Sequence, residues 1–592
     1  LVAELDEMVE LLLDYGPSVD AAVGIGMSRR LRALVIELDL VLGASTVSRE
    51  VRQRILRQLA FVTHVQWLED AWPADDRGIA RGNQNFHPDV ISARGMAAAL
   101  LDGHPRQQEW LDTAVAEMAA FLQGYHFASG ACQEAATYQL VSLGYALQLH
   151  TAAARRGHDG LADLPVLRRA FEFLAATQTP VDGRCGYRML PTVGHVTVYA
   201  WCQTLQALFG WAARATQGTA FSRRMMRAWQ RGGGHVISLH DYQQNLVWAP
   251  PLLLLDGKLP SLPDDDDLAH SQIFDGLGAV LRAHHDDGSE GYLLAKMGPA
   301  QGHFDQDEGS LFWYAWGQPI LADFGTQYDP NFHAHPWLHN RVSFDHKADA
   351  APRQGGMLAH QLDQGVDYLC GEVTVSAQFF HGEWPDRDPN YDFRQAGDPW
   401  ILDTPQRWRR HVIYVHALEA VVLLDEIDGT LPTDWNLQVH AASAAVDGSS
   451  VHCAGHFGVD LDVCMLQPGA PAIEVSAFDH LGFDEPRGNK SWWRSARWTA
   501  APGTTMTNMA EQALTLRAHA DAGQPYFAAL VARRAGVPPT RIEAVGDCGV
   551  GDWGVHIVSG VGEATVTTSP PFSKWVVDID TPAGGKCRLY VG

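Results

Sequence analysis

The sequence predicts an α+β multidomain chain, a helical N-terminal half followed by a C-terminal half of antiparallel β-sandwich. Three observations predict it. From Leu1 to about Gly218, apolar residues recur at spacings of three and four. Around residues 256–268 the texture breaks into a polar, proline-punctuated linker, Asp256-Gly-Lys-Leu-Pro-Ser-Leu-Pro-Asp-Asp-Asp-Asp267. Beyond it, short apolar and β-branched runs alternate with turn signals. The domains are therefore read as 1–262 and 263–592, the second with room for two sheet subdomains.

The helical half is justified segment by segment. Helical spacing runs through Val51 to Leu68, Trp110 to Phe121, Leu140 to Ala154 and Val166 to Leu174. Pro105 and Pro165 stand where helices begin, and Gly124, Gly157 and Gly183 near where they finish. About eight helices joined by short loops make a bundle, a solenoid or an (α/α) toroid. No fixed-period repeat supports the solenoid. The four aspartates closing the linker lack the alternating spacing of a calcium loop, so they read as a solvated charge run.

The β half rests on Ala279 to Ala283, Tyr292 to Lys296, Ser310 to Trp316, His411 to His416, Ala420 to Leu424, Ala564 to Thr568 and Trp575 to Ile579. Asp287-Gly288, Asp428-Gly429 and Asp447-Gly448 supply turns between such strands. That texture over the rest of the chain is an antiparallel sandwich of large sheets.

Composition excludes several classes. With 592 residues and 46% apolar content, the chain has enough material for full cores. A net charge of −25 argues against nucleic acid or anionic membrane as the main partner. Only six of the 44 basic residues are lysines, so any anion pocket would be built from arginine and histidine. No apolar run approaches the roughly 18 residues of a membrane span. The eight cysteines form no CxxC pair and read as buried free thiols. No signal peptide is visible. The chain opens at Leu1 inside an amphipathic pattern, so residues are expected upstream. A removed signal would make the protein secreted or periplasmic, and its absence cytoplasmic. A homo-oligomer stays open.

The densest chemistry lies between Gly302 and Asn340. On a strand, His303, Asp305 and Asp307 would share one face. Asp323 closes the next strand, and His339 follows on a loop. Such a set can bind zinc or a harder divalent ion, or can be a hydrogen-bonded turn network with no metal.

This string resembles the β-sandwich motif of the heparinase II/III family of polysaccharide lyases. The resemblance is carried by His303-Phe-Asp305-Gln-Asp307-Glu-Gly-Ser310, by Gly317-Gln-Pro-Ile-Leu-Ala-Asp323-Phe-Gly325, by Tyr328 and by His339-Asn340. The family order is an incomplete (α/α) toroid followed by a sandwich. Two toroid motifs look matched as well: Asn83-Gln-Asn85-Phe86-His87, and Ser129-Gly-Ala-Cys-Gln-Glu134-Ala-Ala-Thr-Tyr138. Residues i and i+4 share a helix face, so Glu134 and Tyr138 are expected to reach one cleft.

The resemblance implies β-elimination from a uronate glycan, an acidic polysaccharide or oligosaccharide. The C5 proton of a uronate is weakly acidic while its carboxylate is charged. Neutralising that carboxylate stabilises the enolate-like intermediate, and a base and an acid must then reach C5 and the leaving oxygen. The implied roles are Tyr138 as base, acid or both, His303 as partner base, and Asn85 with His87 holding the carboxylate. Glu134, Asn83, His195, Tyr328, Trp337 and Arg409 are expected substrate contacts. Asp305, Asp323 and His339 would hold one structural divalent metal, zinc first and calcium second; no organic cofactor is expected. The pattern departs at Asp305, where the family carries a second His, and at Phe86, where it carries a His. His195 has a capped, structural reading beside its functional one.

Three further features read ambiguously. His333 and His335 precede Trp337 in a His-rich loop. Arg407, Trp408, Arg409 and Arg410 make a basic aromatic run, either a polyanion surface or an outward strand face. Trp492, Trp493 and Trp498 are sugar-stacking surface or sandwich core. Two alternatives to the lyase remain at this stage. One is a glycoside hydrolase using Glu134 and Asp307 as its carboxylate pair. The other is a non-catalytic acidic-glycan binding protein.

Overall fold

The computed structural model describes residues 1–15, 21–68, 86–158, 163–182, 187–191, 202–232, 270–299, 306–321, 336–347, 353–362, 365–375, 402–469, 473–477, 513–546, 551–582 and 584–592, with Leu161, Val193, Gly194 and Asp349 besides. They separate into two compact units. The first draws on Leu1–Ala175 and Ala200–Asp264, the second on Ala176–Tyr199, Asp265–Gly382 and Asp388–Gly592. Two sheets of the second unit close into a sandwich, so the α+β layout read from the sequence is the observed one.

The described part of the helical unit contains α1 (Val2–Tyr15), α2 (Ala21–Leu42), α3 (Arg49–Gln66), α4 (Phe86–Leu100), α5 (Gln107–Tyr125), α6 (Ala136–Ala154), α7 (Pro165–Thr177), α8 (Cys202–Ala215) and α9 (Ala220–Arg231). The Ser48 hydroxyl caps α3 by accepting from Val51 N, and the Thr219 hydroxyl caps α9 by accepting from Ser222 N. α4 and α6 are the inner helices. Pro88 through Ala99 of α4 are all buried, as are Leu140 through His150 of α6. A helix buried on every side must be covered on every side, and its polar residues, such as Asp89 and Arg94, must find partners inside. Gly95 lets these helices close up. A Cβ there would stand 2.7 Å from the Ala114 Cβ of α5 and 2.5 Å from Leu149 Cδ1 of α6. None of the described helices is long and apolar enough to cross a membrane.

The described sheets of the second unit are entirely antiparallel. One eight-stranded sheet runs Ala441–Asp447, Ser450–Gly455, Val459–Gln467, Tyr526–Arg534, Ala420–Asp428, Gln406–Val415, Val366–Val375, Arg353–Leu362. A nine-stranded sheet faces it, centred on Thr433–Val439, Gln318–Leu321, Leu311–Ala315, Glu290–Lys296 and Gly278–His284. Their shared core holds Trp313, Trp408, Trp435, Leu423 and Leu530. A five-stranded sheet, Arg541–Val545 through Gly585–Val591, covers the other face of the eight-stranded one, through Trp553, Val566, Trp575 and Val577. The middle sheet is thus buried on both sides, which explains the unbroken apolar run Ala420 to Leu424: Val421 and Leu423 enter one core, Val422 and Leu424 the other.

One segment sorts differently from the sequence reading. Ala176–Tyr199, read within the helical domain, belongs to the sandwich unit. Its anchors are specific. Arg282 donates to the carbonyls of Ala176 and Gln178 at 2.7 and 2.6 Å, and Tyr292 Oη donates to Thr177 O at 2.9 Å. Arg188 pairs with Glu290, and Tyr314 Oη donates to Asp182 at 2.8 Å. The linker Asp256–Asp267, with the 262/263 boundary, lies outside the described residues.

Candidate functional site

In the helical unit, α5 leads into a tight loop and then into α6. The Gln133 N–H donates to Tyr125 O at 2.9 Å, and Gln139 Nε2 to Gly130 O at 2.7 Å. Gly130 has φ 92°, and a Cβ there would stand 2.2 Å from Arg169 O, so only glycine fits. The loop turns Glu134 inward, where its carboxylate is buried and accepts from Tyr125 Oη. His87, on the first turn of α4, packs edge-on against Phe121, 5.7 Å between centroids, and Phe121 stacks on Tyr125 at 4.6 Å. The last turns of α5 therefore meet both the start of α4 and the loop into α6. α4 and α6 begin at the same end of the unit. His87 and Tyr138, each half-buried, stand on those two first turns.

The helical i, i+4 reading of Glu134 and Tyr138 is corrected. α6 starts at Ala136, so Glu134 lies in the loop ahead of it and does not share a helix face with Tyr138. Burial against Tyr125 directs Glu134 inward instead.

Beside Glu134, His126 is buried with Nδ1 2.9 Å from Leu122 O. Burial pulls its pKa down to about 4, because the charged imidazolium loses its hydration there.

In the sandwich unit, the described part of the motif is a buried ionic lattice. Lys296 Nζ reaches Asp307 Oδ1 at 2.5 Å and Glu308 Oε1 at 3.0 Å, all three buried. The other oxygen of Asp307 accepts from Gly194 N at 3.0 Å. Arg341 pairs with Asp349 at 2.8 Å and donates to Gln306 O at 2.7 Å. Arg410 makes a two-pronged pair with Asp425, 2.7 and 2.8 Å, and donates to Gly309 O and Asn340 O. Asn340 receives the Gln438 N–H on Oδ1 and donates Nδ2 to Leu311 O, each at 2.7 Å. Buried cations and anions persist only when each is met in this way.

The sequence-predicted residues distribute as follows. Asn83, Asn85, His195, His303, Asp305, Asp323 and Tyr328 lie outside the described residues, as do His333, His335, Trp492, Trp493 and Trp498. His87 and Tyr138 come to one end of the helical unit. His339 is buried in the turn Pro336–Asn340, and Trp337 is buried and stacked on His346 at 4.3 Å. Among the described residues, no group of three or more His, Cys, Asp or Glu side chains is placed to hold a metal. The basic run splits by strand alternation. Trp408 and Arg410 point into the core, while Arg409 pairs with Glu372 at 3.1 Å and Arg407 with Asp428. The carboxylates of the hydrolase alternative, Glu134 and Asp307, are both buried and engaged internally. Cys132, Cys370, Cys453 and Cys464 are buried free thiols, and Cys587 is an exposed one. The sequence reading passed over Arg29, Tyr125, Lys296 and Arg341. The first two are visible only once α2, α4 and α5 are packed.

No family model and no curated protein matches the chain. Solved structures do. A heparinase III superposes with TM-score 0.61 at 13% identity, covering 92% of this chain and 74% of its own. The heparan sulfate lyase HepC of Pedobacter heparinus superposes with TM-score 0.59 at 11% identity, over the same shares. The fold is that of the heparinase-like polysaccharide lyases. At such identity the likeness concerns the backbone.

Proposed function

We propose that the protein is a polysaccharide lyase that cleaves a uronic-acid-containing glycan by β-elimination. The observation that carries the reading is the shared end of α4 and α6, where His87 and Tyr138 stand half-buried on the two first turns of a heparinase-like fold. Half-burial suits a catalytic phenol, since it is accessible to substrate yet held by its helix.

The chemistry follows from the substrate. Tyr138, deprotonated, takes the C5 proton. The electron pair forms the C4–C5 double bond as the C4–O bond breaks, and the tyrosine or a partner acid returns a proton to the leaving oxygen. No water is consumed. The sequence motifs assign Asn85 and His87 to the carboxylate and His303 to the complementary base. Tyr125 and Glu134 act as positioning residues, fixing the loop from which Tyr138 springs. A metal on Asp305, Asp323 and His339 is given a structural role, because His339 lies in a buried turn. The two-carboxylate hydrolase is disfavoured, since burial leaves neither Glu134 nor Asp307 presented to a glycosidic bond.

A screen of unsulfated and sulfated uronate polymers for ultraviolet-absorbing product tests the reading. New absorbance on a uronan, without reducing sugar from neutral glycans, is expected. Reducing ends without absorbance would establish the hydrolase instead.

A further inference from the structure

At one end of the sandwich three tight turns converge on a single imidazole. His285 opens the turn 285–289, between Gly278–His284 and Glu290–Lys296, and its Nε2 lies 2.5 Å from Glu419 Oε1. Glu419 closes the turn 416–419 of the facing sheet. Its carboxylate is wholly buried and accepts the Tyr414 hydroxyl on Oε2 at 2.7 Å. Trp316 stands in the third turn, the two-residue hairpin Trp316-Gly317, with its ring 5.7 Å from that of His285. At the end of Tyr526–Arg534, the Arg534 guanidinium lies 5.2 Å from the Trp316 ring centroid and pairs with Asp287. Two of these residues have backbones that L side chains rarely adopt: φ is 48° at Trp316 and 44° at Glu419. A hairpin turn with two positive φ values favours Asn-Gly, so a bulky indole there works against the turn. Side chains held in such conformations cluster at ligand clamps. With the Nε2 proton directed at Glu419, Nδ1 is the remaining ring nitrogen of His285. None of the described residues hydrogen-bonds it, or the Trp316 indole N–H.

We propose that this turn cluster is a sugar-binding site for an uncharged unit, beyond the lyase reading and independent of it. The charge pattern decides the class. Arg534 is matched by Asp287, whose pKa the Ser289 hydroxyl holds down to about 2, and Glu419 is met by His285. No cation of the cluster is left over to draw a carboxylate or a sulfate. What the cluster offers instead suits a sugar ring and its hydroxyls. A part-exposed indole with a guanidinium laid over it makes a flat surface, and the indole N–H and the imidazole Nδ1 supply a donor and an acceptor. Arg534 and Asp287, 53% and 50% exposed, add a charged pair at the rim. The competing account is that Trp316 serves only the sandwich core, against which it packs in part. It predicts a change in stability and none in affinity.

The test is calorimetric titration of the full chain with the N-acetylglucosamine tetramer, cellotetraose and an alginate tetrasaccharide, using wild type, Trp316→Asn and Arg534→Gln. Wild type should bind at least one of the two neutral tetramers. Trp316→Asn, which gives the turn its favoured Asn-Gly, should bind that tetramer about tenfold or more weakly. Arg534→Gln should lose severalfold, because the guanidinium over the indole is gone. If Trp316→Asn does not fold, the severalfold loss in Arg534→Gln still supports the proposal and wild-type affinity there overturns it. Unchanged affinity in a folded Trp316→Asn with a lowered unfolding midpoint overturns it in favour of the core account. A wild type that binds neither neutral tetramer overturns it, and so does a loss confined to the alginate tetrasaccharide. Neutral binding through Trp316 without unsaturated product from any uronan leaves this inference standing and sinks the lyase reading.

Discussion

The two regions that carry the motifs are built in opposite ways. In the sandwich, Lys296, Asp307, Glu308, Arg341, Asp349, Arg410 and Asp425 are all buried, each charge met by another. At the start of α4 and α6, the functional candidates His87 and Tyr138 are half-exposed on first turns. The strongest sequence match thus marks, in its described part, a scaffold, and the weaker matches mark half-exposed side chains. A motif can be specific because many buried groups must fit together, with no substrate touching them.

That contrast can be broken by substitution. The largest effect is expected from Asp425→Ala, which strands the buried Arg410. Removing one partner of such a pair should cost about 3–5 kcal/mol in urea unfolding. A cost below roughly 1 kcal/mol, the range of exposed pairs, would contradict the scaffold reading.

The helical region should show its own weakness in acid. The folded pKa of His126, about 4, lies below its unfolded value of 6.5. The unfolded chain therefore takes up the proton first. Stability present above pH 6.5 is lost as pH falls toward 4, on the order of 3 kcal/mol in all. Unfolding followed by helical ellipticity should show this slope, and His126→Gln should remove it. Equal slopes in both proteins would show that His126 is not the group responsible.

The smallest effect should come from Arg409→Gln. Arg409 was read as a substrate contact, yet it pairs with Glu372 and Glu426 on a half-exposed strand face. Its loss should cost less than about 1 kcal/mol. A large fall in glycan turnover would restore the substrate role.

Legibility tracked the range of the interactions. Strands such as Trp575–Thr581 and helices such as Arg49–Gln66 follow local periodicity and were readable. Arg407 to Arg410 was readable in principle, since period two separates Trp408 and Arg410 from their neighbours. Glu134 was misplaced because the start of α6, two residues later, depends on the loop held by Gln139 and Gly130. The transfer of Ala176–Tyr199 to the sandwich could not be read, because Arg282 grips a carbonyl 106 positions earlier. The Arg29–Asp89 contact spans 60 positions and was equally hidden.

The central claim, that accessible chemistry stands on the first turn of α6, is tested most directly by Tyr138→Phe. The measurement is the initial rate of ultraviolet-absorbing product on whichever uronan the wild type cleaves, beside the unfolding midpoint. The account predicts a loss of about a hundredfold or more in kcat with an unchanged midpoint. Turnover at the wild-type rate in a folded Tyr138→Phe protein would contradict it.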